Sequence, residues 1–448
     1  MAGTMNKGTL DKGSLVKTFG GSGSSPTPPA PQGEYFVKVI DYDGTVLDEQ
    51  WLDDGAEYTL PASPDRTDKG LVFQEWSCSQ AITDGKITID KNDVMIGAIY
   101  TTVSGQNEFD IEVNANTGLT FALNMNGTKD WGDGTTDTNT SHTYSQAGKY
   151  TIKCDGTTIT ASSSSGIFGQ NDTYATMNFT CLNVRFATVQ TIPNYAFNCC
   201  KSIQTISLSN SVKTLNQYCL SSLECDSLVF PSDITSLPNY VCYGCHFKRV
   251  VLPNTITSIN SSAFSNNYDL NNVVLPESLT TIGTDAFGYC YDLEKLVLPK
   301  NVTTIGGTFT YSTGIVSYSY ALKEFKILST KITRIASNTF KDCDGLEKVE
   351  FSSSITTLGY NCFEGCVNLP VTFVVPSSIT KIEGNVFTGL RQILEYDFSS
   401  ATAIPTLDNV SAFNYPNKLM KIKVPSALYD QWITETNWSA LADYIVAV

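Results

Sequence analysis

The sequence predicts a mainly β protein: two small β modules, then a long repeat solenoid closed by a helical tail. Three observations carry that reading. First, the segment Val250–Phe264 returns 23 residues later as Val273–Phe287, with Val-Val-Leu-Pro, a central Ile and a closing Ala-Phe at the same phases. A period in the twenties with apolar residues at fixed phases marks a solenoid, whose single turns are too small to bury their own apolar side. Second, Phe109, Ile111 and Val113, then Leu119, Phe121 and Leu123, alternate with other residues, the period of strands with one buried face. Third, Phe36–Ile40 and Thr45–Leu47 flank Asp43-Gly44, a favoured hairpin turn.

The repeat sets the largest part of the chain. One aromatic slot recurs at Phe197, Leu220, Cys242, Phe264, Phe287, Phe309, Phe340, Phe363, Phe387 and Phe413, in steps of 23, 22, 22, 23, 22, 31, 23, 24 and 26 residues. That makes ten turns over roughly 178–425. Each turn opens on an apolar triplet such as Leu228–Phe230, Val250–Leu252 or Leu296–Leu298, a short strand. Pro231, Pro253, Pro276, Pro299 and Pro376 end it, because proline has no N–H for a ladder. An apolar pair three apart follows, as in Ile256/Ile259 and Ile379/Ile382, with Thr and Ser between that face solvent or bond neighbouring backbone. The slot residue then enters a helical turn that carries a small apolar residue three positions on: Cys200, Cys245, Cys290, Cys343 and Cys366.

The segments Ala286–Cys290 and Ser378–Ile382 resemble the BspA-type leucine-rich repeat, and the resemblance covers over half the chain. It implies a curved right-handed solenoid used for adhesion. The departures are Leu220 and Cys242 in the aromatic slot and the long step from Phe309 to Phe340, with an insertion expected near Tyr311–Tyr320. Insertions in solenoids become loops on one face, often the binding face.

Before the array lie three pieces. Residues 1–33 end in a Gly/Ser and then Pro-rich linker, flexible first and stiffer later. Its first half spaces Leu10, Leu15, Val16 and Phe19 among polar residues, the pattern of a disordered tail or of an anchor peptide that orders on a larger assembly, here a virion protein. Residues 34–102 form a β module. Asp41–Leu47, Gly55, Pro61, Phe73, Trp76, Ile87–Ile89 and Ala98–Tyr100 resemble the internalin B-repeat, which is β-grasp-like, and imply a stalk or spacer. Residues 103–160 form a second module. Trp131-Gly-Asp-Gly134, His142-Thr-Tyr144 and Gly148–Ile152 resemble the PKD-type immunoglobulin-like sandwich, with Trp131 and Tyr144 as implied core anchors. The solenoid occupies 161–425, beginning in a Ser/Thr-rich joint. Residues 426–448 are expected as a helical cap, Ser426 starting a helix with Leu428, Trp432 and Ile433, and Asn437 a second with Leu441 and Tyr444 turned inward.

Charge narrows the partners. The net charge is −15, but residues 178–425 hold 18 basic and 18 acidic side chains, whereas residues 34–102 hold 5 and 14. A neutral array is a poor ligand for polyanions, so nucleic acid is not an expected partner. The 13 cysteines sit mostly at core phases of the repeat, including Cys242/Cys245 and Cys362/Cys366, whose spacing looks like that of metal ligands. Phase explains them as small hydrophobes, and an odd, core-facing set suits a chain folded in a reducing cytosol rather than a disulfide framework. No signal peptide and no stretch long enough to span a membrane is visible. Asp41, Asp43, Asp48, Asp53 and Asp54 lack the alternating ligand spacing of a calcium loop and read as solvated turn carboxylates.

No catalytic constellation is apparent. The two histidines, His142 and His246, fall in different modules, and no phosphate loop or carboxylate pair stands out. The chain is therefore read as non-enzymatic, without cofactor or metal. Tyrosines gather beside the slot at Tyr240, Tyr243, Tyr268, Tyr289, Tyr291, Tyr311, Tyr318 and Tyr320, mixed with Asn266, Asn267, Asn271 and Asn272. Tyrosine brings contact area at low entropic cost, and its face suits sugar rings; packing of these rings over loop backbone is the plainer account. The expectation is a surface-recognition protein binding a cell-surface glycan or protein receptor. A bacteriophage tail or head fibre component of the virion is the favoured setting. A decorative virion protein and a bacterial cell-surface adhesin are the alternatives, and a homo-oligomer is left open.

Overall fold

A computed structural model describes residues 33–114, 119–163, 166–168, 179–306, 314–414 and 419–448. The anchor residues Leu10, Leu15, Val16 and Phe19, together with Phe309 and Tyr311, lie outside them. The chain is mainly β, and its repeat region is a β-solenoid of about 11 turns. Two parallel ladders run along the solenoid. The triplets form the first, as in the pairing of Ser227–Val229 with Arg249–Val251. The second apolar residue of each pair sits in the other, as where Ser258–Ile259 lies between Ser236–Leu237 and Thr281–Ile282. The threonines between extend the second ladder: Thr280 Oγ1 donates to the Thr257 carbonyl at 2.9 Å, and Thr257 Oγ1 to that of Thr235 at 3.1 Å.

The slot side chains form an interior column. Phe264 stacks on Phe287 at 5.4 Å, and Phe340, Phe363 and Phe387 stack in turn at 5.1 and 6.0 Å. Backbone bonds set the register: each slot N–H donates to the carbonyl preceding the next slot, as Phe264 does to Ala286 and Phe340 to Cys362. That rule corrects one assignment. Phe287 N–H donates to Ile315, and Tyr289 to Ser317, so the slot of the long repeat is held by Val316, fully buried, and not by Phe309. The insertion therefore falls between the strand Thr304–Ile305 and the slot. The usual spacing of Phe309 suggests a place after the slot instead.

The first module packs strands β1 (Tyr35–Ile40), β2 (Val46–Leu52), β4 (Leu71–Cys78) and β6 (Val94–Thr102) in the order β2-β1-β6-β4, with β1 and β6 parallel. Strands β3 (Glu57–Thr59) and β5 (Lys86–Thr88) pair beside it. One sheet face buries Val37, Val39, Val94 and Ile96 under Tyr58 and Ile87. The other face does not meet solvent. Phe36, Ile40, Met95 and Ile99 lie on Val229, Val251 and Val274 of the solenoid. These valines are the outward-facing middle residues of their triplets. At the same phase the uncovered turns carry Lys326, Glu350, Asp397 and Lys423, with Val374 as an exposed exception at 60%. Ser77 Oγ donates to the Phe230 carbonyl at 2.6 Å, Asn254 N–H to that of Cys78 at 2.6 Å, and Lys295 pairs with Asp93 at 3.2 Å. The module is thus folded back onto the array and does not project as the implied stalk. Strand β6 is apolar on both faces for the reason parallel strands are: both are covered.

The second module joins the solenoid through its sheet. Strand β7 (Asn107–Val113) pairs with β8 (Gly148–Cys154) on one side and with β9 (Phe179–Arg185) on the other; β9 then pairs in parallel with the first triplet strand, Thr205–Ser207. Phe109, Ile111, Trp131 and Tyr144 belong to the same continuous core as the repeats. The junction is held by Arg185, which reaches Asp110 at 2.6 Å and Glu108 at 3.1 Å, and by the buried Asn107 carboxamide, whose oxygen accepts from the backbone N–H of Ala187 and Thr188.

The far end carries one short helix where the sequence suggests two. Only Tyr429–Trp432 is α-helical; Ser426–Leu428 and Ser439–Tyr444 are 3-10 turns, and Ile445–Ala447 adds a last parallel strand to Lys421–Val424. Ser426 Oγ bonds the Val448 carbonyl rather than a helix N-terminus, and the Asn437 side chain donates to the Leu407 carbonyl at 2.7 Å. Trp432 and Trp438 fill the end of the core against Phe398. Trp432, on the short helix, and Trp438, in the loop after it, are both fully buried there.

Two outcomes follow. Gly97 lies on β6 where a Cβ would stand 2.6 Å from Val229 Cγ1. Gly97→Val should lower stability by about 1–3 kcal/mol and lift the module, seen as a larger radius of gyration in X-ray scattering. Val374→Asp, at the uncovered equivalent, should stay within about 0.5 kcal/mol. Asp110 supplies the second. Burial raises its carboxyl pKa, but the Arg185 guanidinium, Asn183 and Thr151 more than offset this and hold it below the usual range. A lowered folded pKa gives stability that is complete above the unfolded value of about 4 and is lost as pH falls below it. The melting temperature of Asp110→Asn should therefore fall less steeply than that of the parent between about pH 5 and 3.

Candidate functional site

Beside the slot the backbone of nearly every described turn enters the left-handed region twice, two residues before the slot and two after it. Most turns place there residues that tolerate such φ values, Asp285, Asn338, Asn361 and Asn385 before it and Gly244, Asn266, Asp342, Gly365 and Gly389 after it, while Ser262, Cys199 and Ser222 hold the same phases in three turns. Five turns place tyrosine instead: Tyr195, Tyr218 and Tyr240 before the slot, Tyr289 and Tyr318 after it, with φ between 57° and 63°. A bulky residue there is strained by an amount on the order of 1–3 kcal/mol.

The strained positions line up as stacks. Tyr195, Tyr218 and Tyr240 stack at 5.1 and 4.6 Å with their planes within 9°, and Tyr243 meets Tyr240 edge-on at 5.8 Å. Tyr289 and Tyr318 stack at 4.6 Å and 9°. Four residues past the slot, Tyr268, Tyr291 and Tyr320 form a third stack at 4.6 and 4.9 Å. Tyr268 and Tyr320 are 41% and 43% exposed, and the other rings are partly open. Burial raises the hydroxyl pKa of Tyr289 and Tyr320, and neighbouring tyrosines of both rows add to it, so the two stacks lie side by side. The described residues of the expected edge are thereby brought into two groups: Tyr240 with Tyr243, and Tyr268, Tyr289, Tyr291, Tyr318 and Tyr320. Tyr195 and Tyr218 join the first; sequence reasoning missed them, although they stand at the phase of Tyr240. What the groups offer chemically is flat aromatic faces, phenol hydroxyls and no charge of their own.

Asn267 does not share this surface. It is fully buried and donates to the slot carbonyls of its own and the preceding turn, Phe264 at 2.8 Å and Cys242 at 2.7 Å. The same position explains the cysteines. Cys245 Sγ donates to the Leu220 carbonyl at 3.0 Å, Cys290 to Phe264 at 3.3 Å, Cys343 to Val316 at 3.1 Å and Cys366 to Phe340 at 3.0 Å. Each binds the slot carbonyl one turn back, so the thiol row is a hydrogen-bond ladder as well as packing. Cys245 thus faces inward, while His246 pairs outside with Asp269 at 2.7 Å, and the two do not form a dyad. His142 stacks on Trp131 at 5.0 Å and bonds Asp133 at 2.7 Å, inside the second module.

Two parallel ladders, an aromatic interior column and an outer edge of stacked rings define a repeat solenoid. The model for the BspA type leucine rich repeat region, in six copies, matches residues 190–316 and 315–431, more than half of the chain. The protein belongs to that family. Among solved structures it is similar to a leucine-rich repeat protein from Bacteroides ovatus, at 18% identity over 58% of this chain and 76% of that one, with a TM-score of 0.40. A leucine rich cell surface protein from Faecalibacterium prausnitzii is similar at 24% identity over 53% and 69%, with a TM-score of 0.34. The T. pallidum leucine rich repeat protein is similar at 25% identity over 41% and 72%, with a TM-score of 0.31. None of the curated proteins compared with the chain matches it. No helix among the described residues is long and apolar enough to cross a membrane.

The thiol row gives a simple test. Twelve cysteines are buried and Cys199 is partly open; burial pushes the Cys78 and Cys343 thiols up to about 12. Brief iodoacetamide treatment of the native protein at neutral pH should add a single label, mapped to Cys199 by mass spectrometry, and all 13 only after unfolding.

Proposed function

We propose that this is a non-enzymatic surface-recognition protein that holds a cell-surface glycan or protein against the tyrosine stacks of its solenoid. The observation that supports it is the set of five tyrosines in left-handed backbone, at phases that other turns mostly give to Gly, Asn or Asp. Stacking returns about 0.5–1.5 kcal/mol per pair, comparable with the strain, so stability alone gives little reason to keep the rings there. A row of flat, partly open faces at the spacing of the turns suits repeating sugar rings or an extended chain.

In the finer reading the protein is a component of a bacteriophage particle, of tail- or head-fibre type. Residues 1–33 would seat in the particle through Leu10, Leu15, Val16 and Phe19, and the Gly/Ser/Pro linker would carry the rest outward. Fixture to a bacterial cell surface is the alternative use of the same segment.

The test is adsorption of the purified full chain to a panel of bacterial cells and to a glycan array. Binding should fall by about tenfold or more in Tyr289→Ala/Tyr318→Ala while the melting temperature drops only slightly, since alanine keeps the Cβ that strains the left-handed backbone and loses only the ring stacking, about 0.5–1.5 kcal/mol. Binding equal to the parent's would sink the tyrosine site, and no binding to any cell or glycan would favour a purely structural role. Recovery of the chain from purified phage particles, and its loss on deletion of residues 1–20, checks the particle assignment.

A further inference from the structure

We propose that the cleft where the first module meets the solenoid is a second binding site, for a short neutral saccharide. It has a volume of about 620 Å³ and lies between β3–β5 of the module and three consecutive turns of the array. There Asn254, Glu277 and Lys300 hold one phase, each following the proline that ends its triplet. None of the tyrosines lines it, so the proposal stands independently of the tyrosine stacks.

The unpartnered groups point to a ligand. Gln80 is only 6% exposed, yet neither its Oε1 nor its Nε2 has a hydrogen-bond partner among the described residues, and Glu277 Oε2 is likewise buried and unpartnered. Native structures pair nearly all such atoms, so two orphaned side chains lining one cleft mark a place where something is meant to bind. The lysines are already engaged: Lys86 with Glu57 at 2.7 Å, and Lys300 with Asp90.

The remaining chemistry selects the class. The lining offers one carboxamide, with a donor and an acceptor, and a carboxylate oxygen that accepts. Adjacent hydroxyls on a sugar ring, each able to donate and accept, complement that set. Four carboxylates against two ammonium groups disfavour an anion. Ala81 is the one apolar residue among the described residues lining the cleft, which leaves a peptide without a pocket for an anchoring side chain. The volume lies in the range of sites that enclose small ligands. The site exists only while the module is docked, since Gln80 and Glu277 come from opposite walls.

Saturation-transfer NMR on the full chain tests this. The probes are glucose, galactose, mannose and N-acetylglucosamine, their di- and trisaccharides, and a tetrapeptide pool. At least one saccharide should bind, and about tenfold more weakly in both Gln80→Leu and Glu277→Gln. Neither change breaks an existing side-chain bond, so unchanged melting temperatures should confirm intact folds. Tyr289→Ala/Tyr318→Ala should keep the saccharide signal, which separates this cleft from the tyrosine stacks. No signal from any saccharide, a signal surviving in both cleft variants, or binding of the peptide pool alone would overturn the proposal.

Discussion

Every part of this protein depends on the bond from each slot N–H to the next turn. A coil of 22 to 24 residues cannot hide its own Phe, Ile and Leu side chains, so it is stable only with a neighbour whose carbonyls and rings meet its own. The slot column, the two ladders and the thiol row all repeat at that one step. The thiols are the least obvious member. Cysteine fits the small space behind the slot and also donates to the slot carbonyl one turn back, a task Asn267 and Ser319 perform in their own turns.

A stack has two ends, and each end of this one is covered by a different means. At the first, β9 belongs to both the second module and the array, so no apolar edge is left between them. At the last, a parallel strand and two buried indoles close the core. A third cover lies on the side. The first module turns its second sheet face onto the outward valines of the array, and the cleft beside that contact is where the orphaned polar groups of Gln80 and Glu277 are found.

Much of this was legible residue by residue. The triplets, the apolar pairs and most slots follow from periodicity, because burial acts on single turns and repeats with them. In the long repeat Phe309 mimics the usual spacing, and only the backbone bonds around Val316 locate the slot. The docked module was also written in the sequence, as valine at the outward phase of residues 229–297 and charge at residues 326 and 350, but its meaning needed a partner surface. The tyrosines were visible as a cluster. Their left-handed backbone was not, since φ depends on the turn and not on the residue that occupies it.

The amino-acid sequence by itself determined the kind of object this is: a β-solenoid with neutral walls, a cysteine-rich interior and a tyrosine-rich edge, because local periodicity dictates which side chains each short coil must bury. Tertiary structure alone decided where the two leading modules go, which tyrosines face one another and where a cleft opens. Those are contacts between segments more than a hundred residues apart, and their geometry depends on surfaces that exist only after each segment has folded.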